Sequence, residues 1–271
     1  FNLQAACSDP GAAIYYTTDG SLPTEKSAQY NGQIKVSKTE VVRAIAVVPG
    51  MKASPAATAT YFVGSRSIDL PVVSLSTDRK NFYDDRIGIY VAGTNGISGN
   101  CQDFPKNWNQ PWERPVHIEY FDKAKKLVLS QDAGIKITGS CSRGNDMKSL
   151  RVIARKQYGD NRLRYKFFDK KGLSEFKSIV LRNGGNDFNN ARIRDDLIQN
   201  LVSADESIDV GTLAKCDTIV FLDGEFWGYY SMQEKLCETY NERYGSILDV
   251  DYEVVAYLRQ QHAQCLRDDD E

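Results

Sequence analysis

The sequence predicts a chain of two unlike modules, an all-β sandwich over residues 1–64 followed by a larger α+β domain over 68–271. Three observations carry that reading. Strand-like runs in the first 63 residues are short and separated by turn residues, as in a small sandwich. Gly64-Ser65-Arg66-Ser67 reads as a linker. Beyond it, strand-like runs are joined by a segment in which Ile193, Leu197, Ile198 and Leu201 recur at helical spacing.

In the first module, Ile14-Tyr15-Tyr16-Thr17-Thr18 is β-branched and aromatic and runs into the tight-turn pair Asp19-Gly20. A second run, Val41 to Val48, is closed by Pro49-Gly50, and a third spans Thr58 to Val63. Tyr15, Tyr16 and Tyr30 admit two readings. Exposed, they would form a platform for a glycan or protein partner; otherwise they fill the core, the commoner role of strand aromatics.

The second module opens with Leu70 to Ser76, followed by strand-like Gly88 to Val91, Pro115 to Phe121 and Gly134 to Gly139. The last alternates apolar and polar residues, as a half-buried strand should. Lys148 to Ala154 is a further strand, and Arg192 to Leu201 the clearest helix. A hairpin follows, with Asp217 to Leu222 and Glu225 to Met232 flanking the turn Asp223-Gly224. A final helix is expected to begin near Glu234.

Composition narrows the function. A formal net charge of -2 supplies no global field that would draw the chain to nucleic acid. No stretch approaches the roughly 18 apolar residues that a spanning helix needs. The chain begins at Phe1, as expected at a processed boundary. Its six cysteines contain no CxxC pair, which argues against a zinc ribbon or a thioredoxin-like motif. An even count permits disulfides in an exported protein, with Cys101 and Cys141 the first pair to test. The two histidines, His117 and His262, lie in no HExxH or triad motif and are expected to be structural.

Two clusters could hold an anion. Gly139-Ser140-Cys141-Ser142-Arg143-Gly144 joins two strands and leads to Lys148; small residues let backbone N–H groups approach a phosphate, and Arg143 offers a planar fork. The alternative is an ordinary loop with solvated cations. Leu181 to Asp187, with Arg192, Arg194 and Asp195, gathers charge at the entry to the helix, as either a phosphate site or a local ion-pair network. Phe226 to Lys235 is either a ring-binding wall or hairpin core. Glu113, among Trp108, Trp112 and Arg114, is a further polar candidate.

Two resemblances follow from these segments. Tyr15 to Thr24, with Tyr30, Arg43-Ala44, Ser54 and Tyr61, resembles the chitobiase/β-hexosaminidase C-terminal domain family, which implies a fibronectin-like (Fn3-like) sandwich without catalytic residues of its own. From about Leu70 to Tyr257 the chain resembles the CotH (spore-coat protein H) kinase family. The likeness is carried by Leu70 to Leu75, Asn107 to Val116, Gly134 to Gly139 with Ser142-Arg143, Leu181 to Asp187, and Gly224 to Tyr230. That resemblance implies an atypical protein-kinase-like fold transferring the γ-phosphate of ATP, with Mg or Mn, to protein Ser or Thr. It would make Gly139, Ser142, Arg143, Lys148, Arg192 and Glu234 the nucleotide-binding residues, with Lys148 on phosphate. It also implies an exported bacterial protein, at the cell surface or outside the cell. The family's catalytic Asp and acidic metal ligand are expected downstream of the Gly-Glu-Phe-Trp-Gly segment, and no residue here is assigned to catalysis or metal. The chain ends in an acidic tail, Asp268 to Glu271, so a truncated and inactive domain is expected. The competing expectation is a non-catalytic surface or glycan-associated scaffold. No carboxylate pair marks a polysaccharide hydrolase.

Overall fold

The computed structural model describes residues 1–64, 68–169, 172–205, 207–208 and 210–235. The front module comprises β1 (Asn2–Leu3), β2 (Ala13–Thr17), β3 (Ala28–Gln29), β4 (Ile34–Lys35), β5 (Glu40–Val47) and β6 (Ala57–Tyr61). An antiparallel sheet in the order β3-β2-β5-β6 faces the small β1-β4 pair. Between them Ile34, Val36 and Val42 are buried, with Leu3, Tyr16, Tyr30 and Tyr61 packed against them. Tyr16 and Tyr30 are therefore core residues, and the Tyr30 hydroxyl donates to the Gly32 carbonyl at 2.6 Å.

The second module comprises β7 (Val72–Ser76), α1 (Arg79–Tyr83), β8 (Arg114–Phe121), β9 (Leu127–Thr138), β10 (Ser149–Ile153), β11 (Leu163–Arg164), β12 (Glu175–Phe176), β13 (Ser178–Arg182), α2 (Arg194–Ala204), β14 (Lys215–Leu222) and β15 (Glu225–Glu234). Seven of these strands close into a barrel in the order β10-β13-β15-β14-β7-β8-β9. All neighbours are antiparallel except β7 and β14. Period-two alternation sends one face of each strand inward. Ile135 and Ile137, Leu150 and Val152, and Tyr230 and Met232 accordingly fill the interior.

The α+β, kinase-like expectation is overturned by this barrel. Among the described residues the only α-helices are α1, about one turn long, and α2. The strand content beyond the sequence reading includes the polar first half of β9, which runs twelve residues from Leu127, and β13, which occupies Ser178–Arg182. Gly88 to Val91 is no strand; the Ile89 and Tyr90 amides bond back to the Asn81 and Phe82 carbonyls. Glu234 ends β15 rather than starting a helix, and the chain beyond Lys235 lies outside the described residues.

Helix α2 exists as its spacing predicted but faces the opposite way. Its apolar stripe is outward, with Leu197 51% and Leu201 59% exposed. Asp196 is turned inward, where Lys215 Nζ lies 3.0 Å from its carboxylate and Gln233 donates to it at 3.1 Å. The buried polar face of β14–β15 dictates this orientation, because Lys215 and Gln233 need partners.

The modules meet along a polar seam. Thr60 Oγ1 donates to the buried Glu119 carboxylate at 2.5 Å and accepts from Ser74 Oγ at 2.7 Å. The Leu22 amide donates to Asp78 at 2.9 Å, and Phe62 stands edge-on to Phe121 and Phe221, each at 5.1 Å. Two Asp-Gly turns also touch. A Cβ on Gly20 would overlap the Asp223 carboxylate, and one on Gly224 would come within 2.7 Å of Glu40 Cα.

Candidate functional site

A cavity of about 630 Å³ opens on the outer wall of the barrel. Its floor is the outward face of adjacent strands: Lys136 and Thr138 on β9, Ser149 on β10, Val180 on β13 and Gln233 on β15. Cross-strand register sets this floor, since Lys136 pairs with Arg151, Arg151 with Val180, and Val180 with Gln233. The volume falls within the range of small-molecule sites, roughly 300–1,000 Å³.

One wall is the turn Gly139 to Gly144. Gly139 has φ 109, and a Cβ there would lie 2.6 Å from Ser142 Oγ, so this position requires glycine. The turn is tied from several sides. Cys141 is disulfide-bonded to Cys101, with the Cα atoms 5.1 Å apart. Asn100 donates to Ser140 Oγ at 2.8 Å. Arg143 Nε donates to the Gly139 carbonyl at 2.6 Å and Nη1 to the Trp108 carbonyl at 3.0 Å. The Cys101–Cys141 pair singled out from the sequence is thus the bridge that pins this wall.

The facing wall is Arg182 to Asp187 and the start of α2. Buried Asn183 accepts from Ser149 Oγ at 2.8 Å and from the Gly185 amide at 2.9 Å, anchoring the left-handed pair Gly184-Gly185 to β10. Arg182 pairs with Asp195 at 3.0 Å and Arg194 with Asp187 at 3.3 Å. The helix entry is therefore an ion-pair network, and that network lines the cavity.

The sequence-selected residues divide accordingly. Gly139, Ser142, Arg143 and Glu234 line the cavity. Glu234 is buried, and its carboxylate accepts from the Ala214 amide at 2.6 Å. Lys148 does not line it. It is only 3% exposed behind the turn; Nζ donates to the Arg143 and Asn145 carbonyls at 2.7 and 2.9 Å and sits 3.8 Å from the Trp108 ring centre. Burial pushes its ammonium down to about 8. Arg192 also turns away, stacked at 4.2 Å on the Phe188 ring with Nε donating to the Phe188 carbonyl. Lys136 was missed, although the alternation Ile135-Lys136-Ile137-Thr138 already placed it on the outward face.

Two polar groups outside the cavity find their partners on neighbouring segments. Glu113 pairs with Arg155, Nε lying 3.0 Å from each carboxylate oxygen, while its neighbour Arg114 stacks on Trp112 at 4.8 Å. His117 bridges Asp132, at 2.8 Å from Nδ1, and Ser130, at 3.0 Å from Nε2. The hydrogen bond and nearby imidazole hold the Asp132 carboxyl below its usual range. This chain of three was invisible in sequence because the β8–β9 register, which sets His117 opposite Asp132, creates it.

A family model described as chitobiase/beta-hexosaminidase C-terminal domain matches residues 2–59. A second, described as CotH kinase protein, matches residues 135–270. The chain belongs to the CotH kinase protein family. The CotH match begins in β9 and takes in all the residues that line the cavity. A search of curated proteins finds no match for the chain. Within the part of the CotH domain that is described, no group of three or more His, Cys, Asp or Glu residues could hold a metal ion.

Proposed function

We propose that the cavity binds the phosphates of ATP and that the CotH domain supports phosphoryl transfer to a protein hydroxyl. The observation that carries this reading is the convergence of Lys136, Arg143, Arg182 and Arg194 on one cavity walled by two glycine turns. Glycine turns let backbone N–H groups approach an anion, and guanidinium forks match phosphate oxygens. Catalysis of this kind is mainly positioning and charge stabilisation, which suits a rigid barrel wall. Gly139 and Ser142 would hold the phosphates against the turn, and Arg194 would exchange its Asp187 partner for phosphate. The donor set fits a triphosphate. Among the described residues no three His, Cys, Asp or Glu side chains come together to hold a divalent metal, so no step through metal is derived. Lys148 acts behind the turn and positions it. We also propose export, for which the Cys101–Cys141 bridge is the support, since disulfides persist in oxidising compartments.

The test is a thermal-shift titration of the full chain with ATP and Mg²⁺ or Mn²⁺, comparing wild type with Arg194→Gln. Arg194 is 68% exposed and its ion pair is with Asp187, so the variant should fold normally. A nucleotide-dependent rise in melting temperature that is reduced in the variant is expected. No rise in the folded wild type would defeat the proposal.

A further inference from the structure

Strand register gives the barrel a polar face at the seam. Ser76, His117 and Asp132 stand opposite one another across β7, β8 and β9, and Ser74, Glu119 and Ser130 form the next row on the same side. The front module bears on that face. Thr60 bonds both Glu119 and Ser74, and Arg43 lines the seam cavity with Ser76, His117 and Asp132.

Two barrel carboxyls are enclosed by the front module. Glu119 is reached by the Thr60 hydroxyl, and Asp223 lies under Gly20, where any Cβ would overlap its carboxylate. His117 shares the face of β8 with Glu119, Asp132 lies across on β9, and Tyr61 faces Glu119 from β6. Around Asp223 stand Asp19, Glu40 and Arg43 of the front module, with Asp78, Arg79, Tyr83 and Glu225 of the barrel.

The cations among these are committed elsewhere. Arg43 donates to the Gly20 carbonyl at 2.9 Å and to Thr58 Oγ1 at 3.2 Å. Arg79 lies over the Tyr83 ring at 4.8 Å, and His117 is bonded to Asp132 and Ser130. Neutral donors, the Thr60 hydroxyl and the Thr77 amide, therefore support the two enclosed carboxyls. Burial raises both, Asp223 to about 7. The closed seam also leaves the buried Ser76 hydroxyl without a partner, a group that water would satisfy on opening.

We propose that the seam is a pH-operated clasp: the modules hold together while Glu119 and Asp223 carry protons and part as both ionise, uncovering the polar face of β7, β8 and β9. Each carboxyl holds its proton more tightly in the closed seam than in water, so closure takes up protons. Closure is then strongest below the ordinary carboxylate range and weakens as pH rises through 7, by up to about tenfold per pH unit for each group. The clasp does not depend on the nucleotide reading.

Hydrogen–deuterium exchange of the full chain at pH 6 and pH 8, corrected for the intrinsic rate, tests the clasp. The reporters are residues 20–24, whose Leu22 amide donates to Asp78 across the seam, and residues 58–62; β10 is the reference. Protection of the reporters should fall about tenfold further than that of β10 between the two pH values. Glu119→Gln combined with Asp223→Asn should remove that difference, and each single variant should remove part of it. Asp205→Asn, on an exposed carboxylate, should leave it intact. Equal loss of protection at the reporters and β10, or a difference that persists in the single and double variants, would overturn the proposal.

Discussion

A buried ammonium needs partners, and Lys148 finds them in two backbone carbonyls and an aromatic ring. Its sequence position, beside a glycine turn, looked like that of a phosphate ligand; the register of β10 instead sends it behind the turn. Lys148→Met keeps the apolar stem and removes the hydrogen bonds. The expected loss, read by urea denaturation, is about 1–3 kcal/mol, with weaker ATP binding as the turn loosens. Asp223 offers a pH test. Burial pushes its carboxyl up to about 7, against the Thr77 amide that donates to it at 2.8 Å. Between the ordinary carboxylate range and pH 7 the folded chain holds a proton that the unfolded chain has released, so stability falls as pH rises through that window. Asp223→Asn keeps an acceptor and tolerates the φ of 50. Denaturation at pH 5 and pH 8 should show a flatter dependence, with the variant about 2 kcal/mol more stable at pH 8 after allowance for partial exposure.

The Gly139–Gly144 turn is held chiefly by links to other elements, and the disulfide closes a loop with a sequence separation of 40. Chain entropy makes such a closure worth about 4 kcal/mol. Cys101→Ser with Cys141→Ser should lower the melting temperature and speed amide exchange in residues 139–144. Helix α2 makes the opposite prediction. Because Ile198 and Leu201 are exposed, Ile198→Lys with Leu201→Lys should change stability by no more than about 0.5 kcal/mol. These two elements also show what the sequence could reveal. Apolar, strand-like runs identified most barrel strands, period-two alternation the end of β9, and Asp223-Gly224 the β14–β15 turn. Helical spacing identified α2 but not its orientation, because the groups deciding it, Lys215 and Gln233, lie on strands distant in sequence. The α+β expectation failed for a related reason. β9 begins in a stretch with only weak alternation, and the barrel depends on pairings between strands distant in sequence, β7 with β14 and β13 with β15, which no local pattern encodes. At the site, Gly139, Ser142 and Arg143 were legible from the turn and the side of Lys136 from the alternation around it, whereas the side taken by Lys148 follows from the register of β10.

Across the whole molecule, the front module is joined to the barrel by buried polar contacts rather than by the linker alone. Glu119 is 1% exposed, its carboxyl is raised by burial, and the Thr60 hydroxyl that serves it comes from the other module. Thr60→Val should therefore cost about 1–3 kcal/mol, because it leaves a buried carboxylate short of a donor. It should also split a single calorimetric unfolding transition into two, while Val in place of an exposed threonine such as Thr24 should do neither. Hydrogen–deuterium exchange of the full chain, with and without ATP and Mg²⁺, tests the central claim where it is made. Slowed exchange in residues 139–144 and 182–187, with the seam unchanged, is the predicted result. Unchanged exchange in both segments at saturating ATP, or protection confined to another part of the chain, would contradict it.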